Sequence, residues 1–489
     1  MLTQIRCVYL VMIALAFLFL QGCKVEVAVP PGGRVETESG AYSCESGETC
    51  AIDVVDIFFD ETFVALPDDG YTFIQWRNKY RGFCGGRDDP CYLTTTGFPD
   101  TPLEQFLATD EVFHLEPVFW LSKPWTQLGD DIEGKLGDFF GYSVSLSADG
   151  NRIAIGATGS TPICTSCGAE GPGYVRVYAS SGTDWTQLGR DIVADRGAAV
   201  SISADGKRVA IGEPGSSRVR VYKWAGADWL QVGGNIVAEA RRGLGGSVSL
   251  SANGNRLAVS AEGDGRIRVY AWSGTDWRLL GDRFRGGGSP ILSADGNRLV
   301  CASVDPQDDS PPTGEPDTVW VYEWNGNKWR RLGGDVPGSR SSFSLSARGN
   351  RLAVVGNDGL SGARVYKWSG SAWIRLGSDI QLERYSGYVV SISADGNRLA
   401  LGARGKDDSD SETPGYVRIY TYSSQSDSWR QVSQEIIGNE FEAFGGLPVS
   451  LSADGSRVAI GAPWREFGEA ADGSAPVSPG RVRVWERLL

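Results

Sequence analysis

Residues 144–157, VSLSADGNRIAIGA, contain the pattern that decides the fold. Apolar and polar residues alternate on both sides of Asp149 and Gly150. Alternation with a period of two places successive side chains on opposite faces of a β-strand. Asp-Gly is a preferred pair for a two-residue hairpin turn, because that turn needs positive φ. The stretch therefore predicts two antiparallel strands joined by a tight turn.

The same pattern recurs along the chain, for example as VSISADGKRVAIGE at 200–213 and VSLSADGSRVAIGA at 449–462. The hairpins are followed by a VRVY-like block, and a WxxLG-like block completes the unit. The Trp residues of the WxxLG-like blocks lie 44 to 60 positions apart, within the range of β-propeller blades. They are Trp125, Trp185, Trp229, Trp277, Trp329, Trp373 and Trp429. The sequence predicts an all-β fold, with a seven-bladed β-propeller of four-stranded blades over residues 121–489.

The order of the blocks predicts how the ring closes. The first WxxLG block, at Trp125, precedes the first hairpin, and the last VRVW block, at 482–485, has no such block after it. Residues 125–132 should therefore supply the fourth strand of the final blade. Closure matters because a single blade cannot bury both of its faces, whereas blades stacked in a ring can.

Two of the hairpin blocks resemble the FG-GAP repeat of integrin-α-like propellers. They are FFGYSVSLSADGNRIAIGA from Phe139 and FGGLPVSLSADGSRVAIGAP from Phe444. The resemblance implies a propeller used for recognition at a cell surface. The DxDxDG calcium loop of some family members is missing from every hairpin, which leaves calcium in doubt. The positions that name the repeat are Phe140, Gly141, Gly461, Ala462 and Pro463.

The first 22 residues have the features of a signal peptide. Arg6 precedes an apolar run over 8–20, which is shorter than the roughly 18 residues needed to span a bilayer. The following LQGC resembles the bacterial lipobox, in which the Cys receives diacylglycerol and becomes the mature N-terminus. The resemblance implies lipidation at Cys23 and attachment to the membrane through the lipid. Lys24 favours the outer membrane, facing either the periplasm or the exterior, and ordinary secretion is the alternative.

Residues 23–120 lack the repeat and are predicted to form a separate small β-rich module. The short-spaced pairs Cys44 with Cys50 and Cys84 with Cys91 suit local disulfides in an oxidising compartment. The order CESGETC, DGYTFIQW, FCGGRDDPC resembles the divergent internalin-type B repeat, a small extracellular β module. The resemblance implies a spacer or an adhesive stalk.

Charge and composition exclude several classes of function. The formal net charge of −13 and the pI near 4.8 argue against a nucleic-acid partner, because phosphate binding needs a positive field. His114 is the single histidine of the chain, which rules out a His-centred triad or a multi-His metal site.

Irregular connections between the second and third strands are the candidate binding surface, because loops on a rigid scaffold are where propellers bind. They are residues 158–173, 305–317, 404–415 and 463–480. Two of them are acidic and offer carboxylates to a hard cation such as calcium, although solvated loops without a cofactor are the preferred interpretation. The candidate ligands are Asp308, Asp309, Asp407, Asp408 and Asp410. In the first loop, Cys164 and Cys167 are interpreted as a local disulfide.

Regular features of the repeat are interpreted as scaffold. The Trp pairs that flank the third turn should pack together rather than stack on sugars. They are Trp224 with Trp229, Trp272 with Trp277, Trp324 with Trp329, and Trp368 with Trp373. The Arg after each hairpin turn should pair with turn carboxylates such as Asp149 and Asp205, the alternative being a ring of cations that attracts an acidic ligand. Arg348 replaces the turn Asp in one hairpin, and Cys301 is expected to be a buried free thiol.

These features favour a surface-anchored lipoprotein whose propeller binds a protein or glycan ligand without catalysis. An envelope assembly scaffold is the alternative. A polysaccharide-acting enzyme is the least favoured hypothesis, because such an enzyme needs paired carboxylates facing a cleft and the sequence does not place such a pair.

Overall fold

The structure is a computed structural model, and its two compact units are described separately: Met1–Pro124 and Trp125–Leu489. The described residues are 23–54, 58–68, 70–97, 109, 111–121, 125–159, 172–195, 199–238, 243–261, 265–303, 317–356, 362–382, 388–403, 407–408, 411–412, 415–424, 427–438, 448–463 and 479–487.

In the first unit, the described residues form three small sheets with strand orders β4-β1-β8, β3-β2-β5-β7 and β6-β9. The strands are β1 (Cys23–Ala28), β2 (Gly33–Thr37), β3 (Ser43–Cys44), β4 (Thr49–Val54), β5 (Asp60–Pro67), β6 (Tyr71–Trp76), β7 (Cys91–Thr94), β8 (Val112–Leu115) and β9 (Pro117–Leu121). Phe63, Trp76 and Leu115 are fully buried in their core. The expected disulfides are present: Cys44–Cys50 and Cys84–Cys91.

The second unit begins with two strands, and its repeats follow as blades 1 to 7. The strands of blades 1 to 3 and the two that precede them are β10 (Thr126–Gln127), β11 (Ile132–Leu136), β12 (Ser143–Leu146), β13 (Arg152–Ala157), β14 (Tyr174–Ser180), β15 (Trp185–Gln187), β16 (Ile192–Val193), β17 (Ala199–Ile202), β18 (Arg208–Glu213), β19 (Arg218–Trp224), β20 (Trp229–Gln231), β21 (Ile236–Val237), β22 (Leu244–Leu250), β23 (Arg256–Ala261), β24 (Arg266–Trp272), β25 (Trp277–Leu279) and β26 (Phe284–Arg285). A 3-10 turn, Pro214–Ser216, joins β18 to β19.

The strands of blades 4 to 7 are β27 (Gly287–Leu292), β28 (Arg298–Ala302), β29 (Thr318–Trp324), β30 (Trp329–Arg331), β31 (Val336–Pro337), β32 (Phe343–Leu345), β33 (Arg351–Val355), β34 (Gly362–Trp368), β35 (Trp373–Arg375), β36 (Ile380–Gln381), β37 (Tyr388–Ile392), β38 (Arg398–Ala403), β39 (Asp407–Asp408), β40 (Ser411–Glu412), β41 (Tyr416–Ser423), β42 (Ser428–Gln431), β43 (Ile436–Ile437), β44 (Val449–Leu451), β45 (Arg457–Ala462) and β46 (Pro479–Glu486). The short strands β39 and β40 pair only with each other among the described strands.

Each blade is an antiparallel sheet of four strands, and a further strand pairs with strand three. In blades 1 to 6 the four strands lie side by side in chain order. The described part of the unit contains seven such sheets, so the chain folds as an all-β protein with a β-propeller. First strands of neighbouring blades lie side by side. The hydroxyl of Ser145 in blade 1, for example, accepts a hydrogen bond from the backbone N–H of Ile202 in blade 2.

A circle of backbone hydrogen bonds joins the hairpin turns of successive blades. Each turn places one Ala N–H against the carbonyl of the equivalent Ala in the next blade, at 2.8 to 3.0 Å. The last of these bonds returns from blade 7 to blade 1, so the circle is closed. The residues, in order, are Ala148, Ala204, Ala252, Ala294, Ala347, Ala394 and Ala453.

The Arg that follows each hairpin turn strengthens the same circle, and its partner differs from the expected one. We expected Arg152 to pair with a turn carboxylate such as Asp149, but its Nη1 donates to the Gly206 carbonyl in the next blade. The turn carboxylate is already occupied, since the Ser147 hydroxyl and the Asn151 N–H donate to Asp149. All seven Arg residues reach the next turn at 2.8 to 3.3 Å: Arg152, Arg208, Arg256, Arg298, Arg351, Arg398 and Arg457.

Strands from the two ends of the repeat region share blade 7. Both β10 and β11 pair antiparallel with β46, with Thr126 opposite Glu486 and Ile132 opposite Val482. Asp131 lies between them and accepts hydrogen bonds from the guanidinium of Arg483, at 2.8 and 2.9 Å. Burial opposes ionisation of Asp131, but these hydrogen bonds and the charge of Arg483 outweigh it and hold the pKa of the carboxyl below its usual range.

A disulfide across this junction tests how much ring closure stabilises the propeller. Thr126 and Glu486 are opposite each other and 360 positions apart, whereas Ala179 and Thr186 occupy the same register within blade 1. The T126C/E486C disulfide is expected to stabilise the fold by about 3 kcal/mol more than A179C/T186C, because it closes a far longer loop in the unfolded chain.

The measurement is urea unfolding followed by Trp fluorescence, with each oxidised variant compared with its double-serine counterpart. Equal stabilisation by the two disulfides would show that the junction does not limit unfolding.

Candidate functional site

The strand order gives the propeller two different ends. The turn end contains the hairpins between strands one and two and the turns between strands three and four. The loop end contains the connections between strands two and three, where the sequence places the candidate binding loops.

Several candidate residues lie outside the described residues: Cys164, Cys167, Asp308, Asp309 and Asp410. Asp407 and Asp408 are the two residues of the short strand β39, which pairs with β40. In the first unit, Cys23 is the first residue of β1, its thiol is buried, and that burial raises the pKa of the thiol above its usual value.

At the loop end, blades 3 to 5 surround a concavity of about 600 Å³. Its wall is made largely of glycines and of hydroxyl-bearing side chains. The serines are Ser247, Ser260, Ser289, Ser303, Ser339 and Ser341. Such a wall offers hydrogen bonds from its hydroxyl groups and close approach to the backbone at its glycines.

One position of the concavity wall differs from its equivalents in two other blades. Blades 1 and 3 carry a large side chain at or shortly before the start of strand one, Phe140 and Leu244, and both are completely buried. Blade 4 has Gly286 there. A Cβ on Gly286 would lie 2.6 Å from the sulfur of Cys301, which is itself buried and free, as the sequence indicated. Gly286 therefore lines the concavity with its backbone, and the Cys301 sulfur packs where a side chain on residue 286 would begin.

Two polar groups in the wall also break the repeat. Ser303 stands where blades 1 and 3 have Ala157 and Ala261; it is 4% exposed, and its hydroxyl has no hydrogen-bond partner among the described residues. An unpaired buried hydroxyl costs stability, so a ligand that pairs with it gains that energy back. Nearby, Arg340 donates to the carboxylate of Asp317 at 2.6 Å.

Blade 2 departs from the repeat in a different way at the loop end. Glu213 is completely buried and accepts hydrogen bonds from Arg218 and Arg220. In blade 1 the strand-three residue Arg176 pairs with Asp191, which lies just before the short strand β16, but Asn235 occupies that second position in blade 2. Glu213 therefore supplies the missing negative charge. The sequence patterns did not indicate these pairs: Arg176 and Asp191 lie 15 positions apart, and Glu213 lies 5 and 7 positions from Arg218 and Arg220.

The Trp pairs pack together, as expected. Their ring centroids lie 5.4 to 5.6 Å apart in four blades. The strand-four indole also donates its N–H to a backbone carbonyl of the preceding blade, at 2.9 to 3.3 Å. The donors are Trp185, Trp229, Trp277, Trp329, Trp373 and Trp429. These tryptophans are part of the blade interfaces.

The part of the chain that the structure describes contains one cluster of potential metal ligands. Three potential metal ligands, Cys44, Glu48 and Cys50, come together there, but the two sulfurs are joined in a disulfide. No helix within the described ranges is long and apolar enough to span a bilayer.

Comparisons with known proteins recover β-propellers at low identity. The chain matches no protein-family model and no curated protein. Among solved structures it is similar to the β-propeller domain of Cps50 (Swd1) from Myceliophteria thermophila, with 12% identity and a TM-score of 0.47 over 73% of this chain and 99% of that one.

It is also similar to a putative 6-phosphogluconolactonase from Bacteroides uniformis, with 10% identity and a TM-score of 0.45 over 61% of this chain and 86% of that one. A protein from Lactobacillus plantarum has 14% identity and a TM-score of 0.41 over 60% and 84%.

The close contact between Gly286 and Cys301 can be tested by substitution. Gly286→Ala should destabilise the protein by about 1–3 kcal/mol, because its Cβ collides with the Cys301 sulfur in a packed core. Cys301→Ala should relieve that collision, so the double variant should lose less stability than the two single variants together. Urea unfolding measures all three.

The matched control is Gly334→Ala, since a Cβ there meets nothing within 4 Å. Additive losses from Gly286→Ala and Cys301→Ala would contradict the proposed contact.

Proposed function

We propose that this chain is a surface-anchored lipoprotein whose propeller binds a protein or glycan ligand at the loop end, without catalysing a reaction. The observation that carries the proposal is the concavity of blades 3 to 5, with the unpaired hydroxyl of Ser303 in its wall. The resemblance of the hairpin blocks to FG-GAP repeats supports recognition as the role.

The composition of the wall favours a polar ligand. Hydroxyl groups act as both donor and acceptor, which suits sugar hydroxyls or the backbone of a peptide. The glycines let such a ligand approach the protein backbone closely. A binding role fits this wall better than acid–base catalysis, because its one carboxylate among the described lining residues, Asp317, is held by Arg340.

The proposed location rests on the N-terminal sequence. The apolar run over 8–20 and the lipobox-like LQGC support export and lipidation at Cys23. The two disulfides of the first unit suit an oxidising compartment outside the cytoplasm, which agrees with a module that separates the propeller from a membrane.

An envelope assembly scaffold is the second candidate, and a specific surface feature favours it. The short outer strands of several blades expose an aliphatic residue at the same position: Val193 is 60% exposed, Val237 61% and Ile437 55%. Exposed apolar residues on an outer strand are suited to docking another protein.

Ser303→Ala tests the binding site. The change restores the residue found in blades 1 and 3, so the thermal stability should stay the same or rise. Affinity for the ligand found on a glycan array or in an envelope extract should fall about threefold to tenfold, the value of one hydrogen bond. Binding is measured by titration calorimetry.

Ser371→Ala, at the turn end, is the matched control and should bind like the parent protein. Unchanged affinity in Ser303→Ala would remove this concavity as the site, and recovery of a stable multiprotein complex in place of a saturable ligand would favour the scaffold.

Lipidation is tested separately at Cys23. Expressed with its leader in a bacterium, the chain should enter the detergent phase of a Triton X-114 partition and incorporate an alkyne fatty acid. Cys23→Ser should lose both properties, because the thioether to diacylglycerol needs the sulfur. A wild-type protein that stays in the aqueous phase without label would contradict lipidation while leaving the binding proposal intact.

A further inference from the structure

The turn end contains a second concavity, of about 800 Å³, which the proposed function does not use. Blades 3, 4 and 5 contribute to it. Its lining differs from that of the loop end, because it combines two indole rings, Trp324 and Trp368, with charged side chains. The charged residues are Arg256, Asp295, Arg298, Glu323 and Arg348.

The repeat is broken here by a reversal of charge. In a regular turn, such as that of blade 4, Asp295 accepts hydrogen bonds from the Ser293 hydroxyl and the Asn297 N–H. Blade 5 has the exposed Arg348 in place of that Asp. The Ser346 hydroxyl instead donates to the side-chain carbonyl of Asn350, at 3.2 Å.

This substitution changes the surroundings of Arg298. In the preceding blade, Arg256 reaches both the Gly296 carbonyl and the side-chain oxygen of Asn297, at 2.9 and 2.5 Å. Arg298 reaches the Gly349 carbonyl at 3.2 Å and turns to Glu323 at 2.9 Å. In the turns of blades 2, 4, 6 and 7 the Arg of the preceding blade lies near a turn Asp, whereas the turn that Arg298 reaches carries the like charge of Arg348.

The concavity is therefore a region of net positive charge on an acidic protein. Three guanidinium groups face two carboxylates, and both carboxylates already have donors: Asp295 within its own turn and Glu323 from Arg298. Burial lowers the pKa of the Arg256 guanidinium, with the charge of Asp295 opposing that effect only in part. The chain as a whole carries a formal charge of −13, so the protein has no general attraction for anions, and any binding of an anion here would depend on these local groups.

We propose that this concavity binds a carboxylated sugar, such as a uronic acid residue of a polysaccharide. Arg348 pairs with the carboxylate, because a guanidinium presents two parallel donors that match its two oxygens. Trp324 and Trp368 each pack against the strand-four Trp of their own blade, and both are only partly buried and also line the concavity. They therefore provide aromatic surface for the apolar face of a pyranose ring as well as a blade contact. A small inorganic anion would use only the charge, whereas this composition matches a ligand that is both charged and ring-shaped.

Arg348→Asp tests the proposal, since it restores the residue of the regular turns and so preserves the fold. The variant should unfold at the same or a higher temperature, and its affinity for a tetramer of glucuronic acid should fall at least tenfold. The parent protein should bind a neutral glucose tetramer at least tenfold more weakly than the acidic one. Calorimetry at two salt concentrations should show weaker binding of the acidic tetramer at the higher salt.

The matched control is Arg278→Asp, an exposed strand-four position with the same change in charge, and it should keep the affinity of the parent. Ser303→Ala should also keep it, which separates this site from the loop end. Equal affinity for the neutral tetramer, retained affinity in Arg348→Asp, or equally tight binding of a glutamate tetrapeptide would each overturn the proposal.

Discussion

The hydrogen bond from one hairpin turn to the next is the contact on which the propeller depends. Each turn donates an Ala N–H to the following blade and receives an Arg from the preceding one. The turn glycine is fixed by the same contact, because it has positive φ and a Cβ on Gly206 would lie 2.5 Å from Cδ of Arg152. The alanine, glycine and arginine of each turn thus make the contact between neighbouring blades together. Since the circle of backbone bonds is closed, no blade is held from one side only.

A ring locked at the turn end leaves the loop end free to vary. Connections there differ in length from blade to blade without disturbing the circle of turn-to-turn hydrogen bonds, since that circle lies at the opposite end of the strands. Individual core positions can change as well. Blade 4 loses a large side chain at Gly286, and blade 2 adds a buried carboxylate at Glu213, while both keep the regular four-strand pairing. The two proposed binding concavities contain such local changes, while the four-strand pairing of the blades stays the same.

Much of this architecture could be predicted from the sequence, because period-two alternation and a recurring turn glycine report directly on backbone geometry. The predicted two-residue Asp-Gly turn was wrong in detail, since Gly150 has positive φ but Asp149 does not, and the Gly150 N–H donates to the Ser147 carbonyl. The block order also placed residues 125–132 beside the last strand, and the short Cys spacings indicated the two disulfides of the first unit. Sequence inspection failed where the partner lies in another blade. The recurring Arg was visible, but its acceptor is a backbone carbonyl 40 to 57 positions away in successive blades, which no side-chain pattern reveals. The two concavities were equally hidden, since each is lined by residues from three blades.

The pairing of β11 with β46 sets the order in which the molecule can assemble. Asp131 and Arg483 are separated by 352 positions, so at about 5–20 residues per second Asp131 waits roughly 20 to 70 seconds on the ribosome for its partner. Blades 1 to 6 can form in sequence during that interval. Blade 7 alone needs both ends of the repeat region, which makes it the last sheet to be completed. Until then, the apolar faces of blades 6 and 1 that it will cover are exposed to solvent, and it is this period that a chaperone would have to protect.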